Sequence, residues 1–133
     1  SAAAAGFTMV ITGNREYQDS EAIILKASAG ASEALSWIKT DDFESTLHCL
    51  KQEGVLIVSA LRSDQSVPYQ DFVYPEKVCL CIGGERRGLS KQVVQASDAF
   101  VHILYPNQVK IALSAVSATA VLTFEIVRQQ SNT

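Results

Sequence analysis

The fourteen residues from Lys77 to Ser90, KVCLCIGGERRGLS, constrain the fold more than any other part of this chain. Val78 to Ile82 is an unbroken apolar run of strand length. It stops abruptly at Gly83 and Gly84, a charged trio of Glu85, Arg86 and Arg87 follows, and then Gly88. Ser90 to Ala96 reads as the next helix. A buried strand that ends in glycine and charge marks a place where an α/β sheet receives a ligand, at its carboxyl edge. The paired glycines let backbone come close to that ligand.

The flanking segments fit the same architecture. Phe7 to Thr12 reads as a buried strand, and Asn14 to Ser20 as a polar loop. Ser20 to Ala27 reads as one or two helical turns capped by Ser20, followed by the small-residue turn SAGA at 28–31. Leu35 to Ile38 reads as a short strand. Asp42 to Glu53 is the clearest helix, with Asp41 as cap, Glu44 completing a capping box, and Phe43, Leu47 and Leu50 on one apolar face. Gly54 stands where a left-handed terminator belongs. Val55 to Ala60 is a further buried strand, Leu61 to Glu76 a long polar connection, and Phe100 to Leu104 another short strand. The last helix spans about Ala112 to Gln129; its first half is small or apolar nearly all round, and only Glu125 to Gln130 has ordinary surface character. Strands alternating with helices imply an α/β domain with a mostly parallel sheet flanked by helices.

Composition narrows the function. Hydrophobic residues make up 47% of the 133, so the chain has a core to build. Charged residues are only 19%, which leaves apolar surface for a partner subunit or reflects a plain alanine-rich composition. The net charge of −3 does not advertise a polyanion-binding surface, although Arg86, Arg87 and Lys91 make a local basic patch. Cys79 and Cys81, two apart on a strand, share a face and read as core residues. With only His48 and His102 to join the three cysteines, no metal is expected, and a reducing, cytoplasmic compartment is. His48 reads as surface and His102 as packed. No membrane span is evident. Neither G-x-G-x-x-G nor a P-loop lysine motif is present, which argues against NAD binding and nucleotide hydrolysis.

Ile82 to Ser90, IGGERRGLS, resembles the second motif of the SpoU/TrmH branch of the SPOUT methyltransferases, a G-x-E-x-x-G-L sequence after a strand. The SAAAAGF opening resembles the tail of the first motif, SAGA a turn of the same family, and Val101 to Gln129 the third motif, closing in Glu125, Arg128 and Gln129. The resemblance runs the length of the chain. It implies an AdoMet-dependent transfer of methyl to a ribose 2′-hydroxyl of tRNA or rRNA, without a metal, by a homodimer whose C-terminal segment forms a trefoil knot. It places Gly83, Gly84, Ile103, Tyr105 and Ala112 or Leu113 at the cofactor, with the third-motif register open by one residue. Glu85 and Ser114 then take the catalytic positions, with Ser117 as the other hydroxyl candidate, and Arg86 and Arg87 the substrate phosphates.

Two departures accompany it. The first-motif asparagine and arginine of the family would precede Ser1, so residues 1–133 read as a SpoU/TrmH-like methyltransferase domain that is N-terminally incomplete. Ile111 to Ser117 reads IALSAVS where the family has S-L-N-V-S. These departures support an alternative, a non-catalytic domain that binds AdoMet or RNA or only self-associates.

Overall fold

The computed structural model describes residues 9–13, 22–26, 36–40, 42–83, 88–104 and 115–131. In chain order the elements are β1 (Met9–Gly13), β2 (Ala22–Lys26), β3 (Ser36–Thr40), α1 (Phe43–Gln52), β4 (Leu56–Ala60), β5 (Val67–Pro68), β6 (Val78–Ile82), α2 (Lys91–Ala96), β7 (Ala99–His102) and α3 (Ala115–Ser131).

The strands form one sheet in the order β3-β1-β2-β6-β4-β7-β5. β2 pairs antiparallel with both β1 and β6, whereas the β1–β3, β4–β6, β4–β7 and β5–β7 pairings are parallel. It follows that every described strand except β2 points the same way. The expected mostly parallel sheet is present, as a mixed sheet with one reversed strand.

Period-two alternation divides the core into two layers. Val78, Leu80 and Ile82 of β6 join Val58, Val101, Leu122 and Ile126 on the face covered by α3. Cys79 and Cys81 join Ile57, Phe43, Leu47 and Val93 on the face covered by α1 and α2. All five residues of β6 are buried, as its apolar run implied.

Three local expectations are corrected. The segment expected to be helical near Ser20 to Ala27 contains β2. Its adjacent Ile23 and Ile24 are buried in opposite layers, so a strand satisfies both at once, and β-branched side chains favour it. The cap of α1 is Asp42, not Asp41 with Glu44. The Asp42 carboxylate accepts from Ser45 N at 3.0 Å and from Ser45 Oγ at 2.7 Å, while Asp42 N donates to Thr40 Oγ1 at 3.1 Å, so no capping box forms. Gly54 does follow the helix, at φ +84°.

The third correction concerns the end of α3, which is not an ordinary surface. Glu125 is buried and accepts from Arg128 Nε at 2.8 Å, Arg128 Nη2 at 2.7 Å and Gln129 Nε2 at 2.8 Å. Gln129 also donates to Phe72 O at 2.8 Å and accepts from Tyr74 N at 3.1 Å, and Gln130 donates to Pro75 O at 2.8 Å. The end of α3 thus clamps the connection leading into β6.

Candidate functional site

Because β6, β4 and β7 are parallel and adjacent, their carboxyl ends meet at one edge of the sheet. The ladder pairs Ser59 with Cys81 and Ala60 with Val101. Carried one or two residues further, it sets Leu61 level with Gly83 and His102, and Arg62 level with Ile103. Gly83 and Ile103 stand on either side of β4, two strand spacings or roughly 10 Å apart. The chain leaves β4, returns as β6 on one flank and as β7 on the other. Such a divergence is the place where an open α/β sheet receives a ligand, in a crevice beyond the strand ends.

The glycine requirement at Gly83 is steric. A Cβ there would lie 2.7 Å from Gly88 C, 2.8 Å from Gly88 Cα and 2.9 Å from Leu89 N. The backbone of Gly88 and Leu89 therefore packs directly against Gly83. Gly88 lies at φ +65°, in the left-handed region. Ser90 then caps α2, accepting from Val93 N at 3.4 Å. Ile103 is half-buried against the α3-side core, and Leu104 beyond it is half exposed.

β4 continues one residue past its ladder, since Leu61 N donates to Val101 O at 3.0 Å. The next residues form a turn closed by its own serines. Ser63 N donates to Ser66 Oγ at 2.8 Å, and Gln65 N to Ser63 Oγ at 3.2 Å. His102 anchors this turn to β7. Its Nδ1 is 2.8 Å from Ser66 Oγ, and its carbonyl accepts from Tyr69 N at 2.9 Å. Ser66 Oγ also lies 2.8 Å from Ser63 O, so when the hydroxyl proton goes to that carbonyl, Nδ1 is the donor to Ser66. His102 is thus a packed histidine, and His48 is exposed, as expected.

Of the residues expected at the site, the structure brings Gly83 and Ile103 to the same edge. Gly84, Glu85, Arg86, Arg87, Tyr105, Ala112, Leu113 and Ser114 lie outside the described residues, as do the SAAAAGF opening and the SAGA turn. Ser117 is exposed on the first turn of α3. Leu61 and Arg62 also reach this edge, although neither was expected there. Their signal was available: a buried strand, Val55 to Ala60, running straight into a cation. Among the described residues, no group of three or more His, Cys, Asp or Glu side chains could hold a metal ion. None of the described helices is long and apolar enough to cross a membrane.

Residues 1–124 match the model of the SpoU rRNA Methylase family. The 23S rRNA (guanosine-2'-O-)-methyltransferase RlmB of Blochmanniella floridana is 31% identical over 132 residues, covering 98% of this chain and 50% of that protein. The chain thus spans about half the length of the curated relatives it matches. Among solved structures, the A. aeolicus TrmH/SpoU tRNA modifying enzyme superposes with a TM-score of 0.66 at 26% identity, over 74% of this chain and 49% of that one. The SpoU methyltransferase AviRb of Streptomyces viridochromogenes, solved in complex with AdoMet, gives a TM-score of 0.63 at 21% identity, over 74% of this chain and 38% of that one, a likeness of fold.

Proposed function

The chain belongs to the SpoU rRNA Methylase family, and on that premise we propose that it is the methyltransferase domain of an AdoMet-dependent RNA 2′-O-ribose methyltransferase acting on rRNA or tRNA. The observation that carries the proposal is the Gly83–Gly88 contact at the carboxyl edge, opposite Ile103 across β4.

The edge fits a nucleoside cofactor. The close approach of Gly83 and Gly88 gathers backbone groups at the edge, and a neutral base edge is read well by fixed N–H and C=O groups. Leu61 and Ile103 supply apolar cover that keeps water off such a ring. Bound AdoMet supplies an electrophilic methyl group on a sulfonium. The work left to the chain is to orient the ribose hydroxyl and to hold water away. We assign that orientation to Glu85 and Ser114, the cofactor contacts to Gly83, Gly84, Ile103, Tyr105 and Ala112 or Leu113, and phosphate contacts to Arg86 and Arg87; the motif match supports these roles.

The same reading includes a C-terminal trefoil knot and a homodimer. Phe124 supports the dimer: it is 48% exposed on a helix whose neighbouring Leu122, Thr123, Glu125 and Ile126 are buried. Three free thiols, Cys49, Cys79 and Cys81, support a reducing, cytoplasmic setting.

Methyl-labelled AdoMet incubated with unmodified ribosomal RNA and the protein tests the proposal. Label is expected in alkali-stable dinucleotides, because a methylated 2′-oxygen cannot attack its neighbouring phosphate. Label in alkali-labile mononucleotides, or none, would contradict it. A second reading, a binding domain without transfer, is favoured by IALSAVS at the third motif. Binding of S-adenosylhomocysteine with no transfer to any RNA would select it.

A further inference from the structure

Five cations, Lys51, Lys77, Arg128, Arg62 and Lys91, sort by sheet edge. Lys51 is bonded to Asp98 at 3.4 Å, beside the start of β4, where Asp98 also accepts from Ile57 N at 2.8 Å. Lys77, just before β6, donates to Glu53 O at 3.4 Å. Arg128 is paired with Glu125, next to the connection that leads into β6. These three stand toward the amino edge, and each has a protein partner. Arg62 and Lys91 stand at the carboxyl edge, both exposed, with no ion pair to another described residue.

Arg62 has the more pointed location. It is level with Ile103 and one residue past Leu61, between the two flanks of the crevice. It also opens a turn that Ser63 and Ser66 close and that His102 ties to β7. A guanidinium on a braced turn loses less freedom on binding than one on a loose loop. Asp64 lies two residues on, so the turn carries both signs.

We propose that Arg62 is a substrate-positioning residue, contacting an RNA phosphate next to the nucleotide that enters the crevice. This rests on the methyltransferase reading above and extends it to a residue outside the family's glycine and small-residue motifs. The chemistry favours phosphate over the other anion at hand, the cofactor's carboxylate. Arg62 is exposed, where a polyanion arrives from solvent, and a fixed guanidinium fork matches phosphate oxygens. A net charge of −3 also makes each unpaired cation at the mouth count for more in drawing RNA to that edge.

The test compares Arg62→Gln, Arg62→Lys and, as an amino-edge control, Lys77→Gln with the unaltered protein. Binding of fragmented ribosomal RNA is measured across a salt series, and binding of S-adenosylhomocysteine by calorimetry. Arg62→Gln is expected to weaken RNA binding about three- to tenfold and to reduce the log–log salt slope by about 0.7–0.9, one phosphate contact. Arg62→Lys restores most of the slope, and Lys77→Gln leaves it unchanged. KM for RNA rises more than kcat falls, and S-adenosylhomocysteine affinity is preserved. An unchanged slope in Arg62→Gln, or a loss of S-adenosylhomocysteine affinity in its place, would overturn the assignment while leaving the methyltransferase reading intact. Absence of S-adenosylhomocysteine binding by the unaltered protein would sink that reading, and this inference with it.

Discussion

At the scale of single residues, Gly83 is a position where one atom matters. An added methyl must displace backbone rather than a flexible side chain, so Gly83→Ala is expected to lower stability by about 1–3 kcal/mol and weaken cofactor binding together. Thermal melts with and without S-adenosylhomocysteine read both effects. The Arg128 guanidinium beside Glu125, with help from Gln129, holds that carboxyl below its ordinary value of 4.5 despite the opposing effect of burial. A depressed folded-state value stabilises the fold at pH above the ordinary one, and this stabilisation is lost as pH falls through the depressed value. Glu125→Gln should therefore flatten the fall in Tm below about pH 4.5 and change its pH dependence little near neutrality. Burial pushes the Cys79 thiol up, Cys81 is equally inaccessible, and Cys49 is exposed. One thiol per native chain should react with an aromatic disulfide reagent, and all three after unfolding. Cys79 and Cys81 were legible as core from their spacing alone. Glu125 was not, because a carboxylate near a helix end looks like surface until its partners are placed.

At the scale of elements, α1 and β6 were legible because local rules and tertiary packing agree there. Phe43 and Leu47 sit at helical spacing, and five consecutive apolar residues have room only in a central strand. The cap of α1 shifted by one residue because adjacent aspartates offer the same chemistry and only the geometry at Ser45 separates them. Asp42→Ala is expected to lower stability by removing the cap, readable by denaturant titration. β2 was misread because five residues are too few to show a period, and burial on both faces mimics a helix segment. The α3 clamp lies fifty-five to fifty-seven residues from its partners in sequence, beyond any local signal. Gln129→Leu strands Tyr74 N and Phe72 O, and should cost about 2 kcal/mol. Faster amide exchange at Tyr74 would report it; unchanged exchange there would contradict the clamp.

At the scale of the whole molecule, the sequence pointed to a parallel sheet with its ligand at the carboxyl edge, and the strand order supplies the reason. β4 lies between β6 and β7, so residues distant in sequence end together at one edge, Leu61 level with Gly83 and His102, and Arg62 level with Ile103. Only the order of strands places Arg62 in that group. Light scattering is expected to give twice the chain mass, and Phe124→Glu, which puts a carboxylate on the exposed apolar position of α3, to give the single-chain mass. A single-chain mass for the unaltered protein would remove the dimer from the account. The central claim is that the edge at Gly83 is an AdoMet pocket. Calorimetric titration of S-adenosylhomocysteine into the unaltered protein and into Gly83→Val tests it most directly. Saturable binding of one molecule per chain is expected, lost in Gly83→Val while circular dichroism still reports a folded α/β domain. Equal binding by both proteins, or none by the unaltered one, would contradict it.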